Sequence, residues 1–141
     1  MIMNIENAKQ QIKELVESFR KVPQDELDKK SEEQIKFLYI EPLLEALGWR
    51  REDIEKEQRV LKGRADYILK IGNQEVLVVE AKKTGVELTE EEGRQAVSYA
   101  YHRKIKYAVL TNFRKIRVYH ALSNIKNINK NLLKDGKGYL W

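Results

Sequence analysis

The 141-residue sequence contains no cysteine. That excludes disulfides, thiolate zinc sites, iron–sulfur clusters and cysteine nucleophiles. It has two histidines, His102 and His120, too few for a histidine-rich metal centre. No apolar run approaches the roughly 20 residues needed to span a bilayer, and the start, Met1-Ile-Met-Asn-Ile-Glu6, has neither the basic region nor the apolar stretch of a signal peptide. No internal repeat is visible, and there is no Gly-x-x-x-x-Gly-Lys-Ser/Thr loop, so nucleotide-driven motor activity is not expected. What remains is one domain's worth of chain, 42% hydrophobic and 35% charged, with the default expectation of a soluble cytoplasmic protein.

The net charge of +5 is unevenly placed. Residues 101–122 hold six Lys and Arg and no acid, and residues 123–141 add a net +3, which leaves the first hundred residues at −4. An acidic front and a basic back suggest a polyanion, nucleic acid first, touching one side of the domain. A solvated basic surface would carry the same charge, so charge alone does not choose.

Ile5, Ala8, Ile12, Leu15, Val16 and Phe19 recur at helical spacing and predict an amphipathic helix over 4–21, ended by Val22-Pro23, with a polar connector over 24–30. Ser31-Glu-Glu-Gln34 is a capping-box pattern that opens a second helix through Leu47, which Pro42 should kink or split. Strands are predicted over 54–61, 65–71 and 75–82, with a turn at Gly63 and a hairpin at Gly72-Asn73. Thr89-x-x-Glu92 caps a third helix that runs to about Arg103, and strands follow over 107–110 and 116–121. The Asn/Lys-rich stretch 124–137 reads as peripheral. The order gives an α/β fold: a mixed central sheet flanked by helices, the fourth strand parallel to a neighbour through the helical crossover.

The segment richest in chemistry is Gly63-Arg-Ala-Asp66, followed by Glu80-Ala-Lys82. Residues two apart on a strand share a face, so Glu80 and Lys82 point the same way. If Ile71 faces Glu75 across the hairpin, Asp66 lies opposite Glu80; a shift of one residue puts it opposite Val79. In the first register two carboxylates and an ammonium converge. Carboxylates at cross-strand distance repel unless a cation lies between them, and with oxygen ligands that ion is Mg²⁺, with Mn²⁺ able to substitute. Hydrolysis of a phosphodiester is the chemistry such a set suits. A solvated charge cluster at strand ends is the plainer alternative.

From Ser31 to Ala121 the chain resembles a PD-(D/E)XK nuclease domain. It looks more closely like the N-terminal domain of type I restriction-enzyme restriction subunits and related fused restriction–modification enzymes. The resemblance is carried by Ser31-Glu32, Ile40-Glu-Pro-Leu-Leu-Glu-Ala-Leu-Gly-Trp49, Gly63-Arg-Ala-Asp66-Tyr67, Val79-Glu80-Ala-Lys82-Lys83, Gln95-Ala-Val-Ser-Tyr99 and Leu110-Thr-Asn112. It implies a restriction-endonuclease-like αβββαβ core over 31–123, preceded by a helix and connector (1–30) and followed by a basic segment (124–141). It also implies Asp66 and Glu80 as metal ligands, the Ala81 carbonyl as a further one, and Lys82 acting on the attacking water. Gln95 and Tyr99 match the family's Gln-x-x-x-Tyr element, and Glu32 the acidic residue of its first core helix, with Glu33 competing and Glu57 a lesser candidate.

By this resemblance the partner is double-stranded DNA, held at its phosphates by Arg64, Lys83, Arg94 and basic residues after Tyr101, Arg103 among them. Further subunits or domains of a restriction–modification complex are expected, and two copies would have to meet transiently, or one act twice, to cut both strands. A non-catalytic nucleic-acid-binding or assembly module, or a repair or junction nuclease, would use the same fold. One departure is Phe113, where a glycine often follows Thr-Asn in this family. Another is the lack of motor, methyltransferase and target-recognition regions, which suits a piece of a larger enzyme or a small nuclease with partners; the Asn/Lys-rich end at Trp141 is what a cut just past a domain edge would leave.

Overall fold

A computed structural model of the chain describes residues 4–59, 64–122 and 132–137. The amphipathic N-terminal segment forms helix α1 (Ile5–Lys21), whose first orphan amides, Glu6 and Asn7, donate to the Asn4 side chain at 3.0 and 3.2 Å. The stretch read as a connector is partly helical: α2 (Gln24–Lys29) starts after Pro23 and buries its single apolar side chain, Leu27. The capping box at Ser31 is formed in both directions and opens α3 (Glu32–Ile35).

The predicted second helix does not continue regularly. A wide π-turn (Lys36–Ile40) joins α3 to α4 (Glu41–Ala46), with Pro42 in the first turn of α4. Proline lacks the amide that would bond back into the preceding turn, and the buried side chains Ile35/Lys36, Tyr39/Ile40 and Leu43/Leu44 recur every four residues. Four is wider than the α-helical period of about 3.6, so the broadened turn keeps these pairs in register with the core.

After a short 3-10 turn (Arg51–Asp53) come β1 (Ile54–Arg59), β2 (Arg64–Ile71) and β3 (Gln74–Ala81), all antiparallel neighbours. The Gly63 turn and the end of the predicted first strand lie outside the described residues. Helix α5 (Glu90–His102), with its own two-way capping box from Thr89 and Glu92, crosses over to β4 (Tyr107–Thr111), which lies parallel to β3. Antiparallel β5 (Lys115–His120) and β6 (Leu132–Lys137) complete a six-stranded sheet in sequence order. Strand β6 falls within the stretch read as peripheral; it is the sheet's last strand, paired to β5.

The β2–β3 hairpin holds a correction. Gly72 and Asn73 both have positive φ, 54° and 70°, as a two-residue turn of this hand requires. Ile71 therefore pairs with Gln74, not Glu75. A bulge at Val76 then slips the ladder by one residue, so that Leu69 faces Leu77 and Tyr67 faces Val79. One step further in that register, Asp66 meets Glu80. The expected juxtaposition is present, reached through a tighter turn plus a bulge.

Two apolar layers hold the sheet. On one face Phe19 of α1 stacks with Tyr39 and Phe113 at centroid distances of 5.0 and 4.8 Å, above Tyr67, Leu69 and Val79. On the other, Val97 and Ala100 of α5 cover Ile68, Val78, Ala108 and Leu110. Burying each large side chain of this kind contributes about 1.5–3 kcal/mol. Phe113 has φ 71°, a left-handed conformation costing about 1–2 kcal/mol, and its fully buried ring offsets that cost.

Candidate metal centre

Asp66, at the start of β2, is 1% exposed. Its Oδ2 accepts a 2.7 Å hydrogen bond from the Ala81 backbone amide, which ties it to the end of β3. Its Oδ1 has no aligned hydrogen bond, although the Lys36 ammonium lies directly against it as an ion pair. Glu80 comes up beside it from β3, and Glu32 from the first turn of α3. One carboxylate oxygen from each of the three lies within 4.8 Å of the others.

Burial, reinforced by the Asp66 charge, pushes Glu80 up to about 8, against the opposing pull of Lys82. At neutral pH, with no cation, Glu80 therefore keeps its proton. Lys82, one residue past β3, has its amide on the Thr111 carbonyl at 2.8 Å. Its ammonium stands 3.5 Å from Glu80 and 3.4 Å from Glu92. Burial alone would lower its pKa, but Glu80, Glu32 and Glu92 outweigh this and raise it, so Lys82 is a cation. Glu92 has two jobs: Oε1 accepts from the Thr89 amide in the α5 cap, and Oε2 meets Lys82.

The other sequence-derived candidates are spread more widely. Gln95 is exposed on α5, one turn beyond Glu92. Tyr99 lies about 10 Å of helix rise beyond Glu92; its hydroxyl is buried with no hydrogen-bond partner among the described residues. Lys83 is half-buried next to Lys82, and Glu33 is largely exposed. Arg94 is paired with Glu90 and Glu91 at 3.4 and 3.0 Å. Arg103 makes a two-pronged ion pair with Glu75, 2.7 Å at its shorter arm, about 16 Å along β3 from Glu80. The side chains of Glu57 and Arg64 lie outside the described residues.

Sequence reasoning missed Lys36 and the second role of Glu92. Lys36 is 5% exposed and reaches Asp66, Glu33 (3.1 Å) and Glu32 (3.7 Å). Its signal was the i, i+4 spacing from Glu32 together with its place beside Ile35 on the buried stripe.

The α/β fold, a mixed sheet flanked by helices, is shared with a restriction-enzyme fragment. A fragment assigned as an HsdR subunit of a type I restriction enzyme from Vibrio vulnificus YJ016 matches at TM-score 0.56 and 26% identity, over 65% of this chain and 21% of that one. This chain thus spans about a fifth of that relative's length. The type IIG restriction endonuclease BpuSI shares 25% identity over 62% of this chain and 11% of its own, at TM-score 0.44. No curated protein matches the chain. Residues 31–132 match the family described as the type I restriction enzyme R protein N terminus, and the chain belongs to that family. Among the described residues no helix is long and apolar enough to cross a membrane.

Proposed function

We propose that this domain is a PD-(D/E)XK nuclease: a Mg²⁺-dependent endonuclease that hydrolyses DNA phosphodiester bonds as part of a restriction–modification enzyme. The observation that carries the reading is the convergence of Glu32, Asp66 and Glu80 within 4.8 Å, with Lys82 at 3.5 Å from Glu80. The donor set fits a hard divalent cation. Its side-chain donors are carboxylate oxygens alone, and one of them, Asp66 Oδ1, is buried with a cation, the Lys36 ammonium, already against it. Asp66 and Glu80, with Glu32 and the Ala81 carbonyl beside them, would hold the ion. Mg²⁺ bound there supplies Lewis-acid polarisation of the phosphate and acidifies water.

The chain's own groups do the rest. Glu80, protonated in the metal-free fold, would have to give up that proton for its carboxylate to hold a cation. Lys82, held as a cation by three carboxylates, orients the attacking water and offsets the charge that builds on the phosphate oxygens. Glu92 limits where that ammonium can sit. Lys83, beside Lys82, and Arg94, on the first turns of α5 and released from Glu90 and Glu91, would meet the flanking DNA phosphates. No arrangement in the site suits base reading, so sequence specificity would come from other domains or subunits.

The test is incubation of supercoiled plasmid with the purified chain and Mn²⁺, alongside Asp66→Ala and Lys82→Ala. The reading requires nicking or linearisation by wild type that EDTA and both substitutions abolish. Cleavage persisting in both variants would place the chemistry elsewhere. DNA binding without metal-dependent cleavage, in the assembled complex as well, would make the domain a binding module.

A further inference from the structure

We propose that Lys36 is an internal counter-cation that occupies the divalent-cation position in the metal-free protein and is displaced when a metal binds, so that it sets the site's metal affinity. This rests on the metal-site reading above and adds a residue to it.

Three observations converge. First, Lys36 lies against Oδ1 of Asp66, the oxygen that the Ala81 amide does not engage and the one most open to a metal. Second, two ammonium groups already face the acid cluster, Lys36 against Asp66 and Lys82 against Glu80. A divalent ion added between them would be repelled by both. Lys82 meets Glu80 and Glu92 at 3.5 and 3.4 Å, whereas Lys36 lies directly against Asp66 Oδ1, the position a metal would take, so Lys36 is the one to yield.

Third, Lys36 has somewhere to go. Glu33 is 3.1 Å from its ammonium, and the Glu33 side chain is 77% exposed. A rotamer change that keeps this contact carries the ammonium from Asp66 toward the protein surface. The π-turn that begins at Lys36 fits this role, because it lets a lysine share the buried stripe with Ile35 and Tyr39. Without metal, Lys36 holds Asp66 and Glu32 together against their mutual repulsion. With metal, that task passes to the ion.

The test is titration of Mn²⁺, followed by the loss of its free-ion electron paramagnetic resonance signal, into wild type, Lys36→Met, Lys36→Gln and Asp66→Ala without DNA. Both Lys36 variants are expected to bind about tenfold tighter than wild type or better, and Asp66→Ala not to bind. A Lys36 that merely braces the fold would leave affinity unchanged or weakened in its variants; that result, with wild type binding through Asp66, overturns the inference and spares the metal site. Absence of Asp66-dependent binding in every protein overturns the metal site itself. Removing one partner of a buried pair is destabilising, and Lys36→Gln keeps an amide donor for Asp66. If both variants nevertheless unfold without metal, circular dichroism decides. Refolding at Mn²⁺ concentrations below wild-type half-saturation supports the displacement, and failure to refold overturns it.

Discussion

At the scale of single residues, Glu80 makes the site sensitive to pH. In the metal-free fold it holds a proton up to about pH 8, whereas the unfolded chain releases it near 4.5. Folding thus takes up a proton in this interval. The stability contribution is complete below pH 4.5 and is lost as pH rises toward 8. Thermal melts without metal should show the melting temperature falling across this window, and Glu80→Gln should flatten the fall. Mn²⁺ should raise the wild-type melting temperature more at pH 8 than at pH 6, because proton competition disappears. Lys82→Ala should reduce cleavage by about 10²-fold or more while leaving DNA affinity nearly unchanged, measured on one labelled duplex. Strand alternation put Glu80 and Lys82 on one face in the sequence, whereas Asp66 opposite Glu80 rested on an assumed turn, and the structure reaches that pairing through a different turn and a bulge. Lys36 was not legible, because a lysine on a helix ordinarily points to water, and only the widened turn and the acid cluster explain its burial.

At the scale of elements, the short segments were the hard ones to read. Helix α2 carries one buried apolar residue, Leu27, and so has no periodicity to detect. The sequence Leu132-Leu-Lys-Asp-Gly-Lys137 does not alternate like a half-buried strand, yet it pairs with β5. The hairpin register needed a bulge that no local signal announces. The turn at Phe113 shows what packing can override: replacing it with the glycine common in this family should relieve the backbone yet destabilise the domain by about 2–4 kcal/mol through loss of the buried ring. Gly93 in α5 faces the opposite constraint. A Cβ there would sit 2.5 Å from the Tyr119 hydroxyl and 3.0 Å from its ring, so Gly93→Ala should cost about 1–3 kcal/mol by forcing α5 off the sheet. Urea denaturation measures both.

At the scale of the whole molecule, the uneven charge seen in the sequence is partly neutralised by the fold. Arg103 is engaged by Glu75 at the end of β3 away from the acid cluster, and Arg114 bonds to Asp28 at 3.2 Å. The mixed sheet and its crossover were legible because helix and strand periods alternate clearly from residue 53 to 121. If Lys83, Arg94 and one or two other cations meet phosphates, DNA affinity should drop about 40- to 150-fold between about 50 and 200 mM salt. Lys83→Ala and Arg94→Ala should each shallow that dependence by about one unit of log–log slope, and Arg103→Ala should change it little; fluorescence anisotropy at graded salt checks all three.

The central claim, that Glu32, Asp66 and Glu80 form a divalent-cation site, is tested most directly by calorimetric titration of Mn²⁺ at pH 7 in two buffers of different ionisation enthalpy. The account requires binding to wild type with release of a proton from Glu80, binding without that proton in Glu80→Gln if any remains, and none in Asp66→Ala. Equal binding in wild type and Asp66→Ala, or none in any protein including those lacking the Lys36 charge, would contradict it.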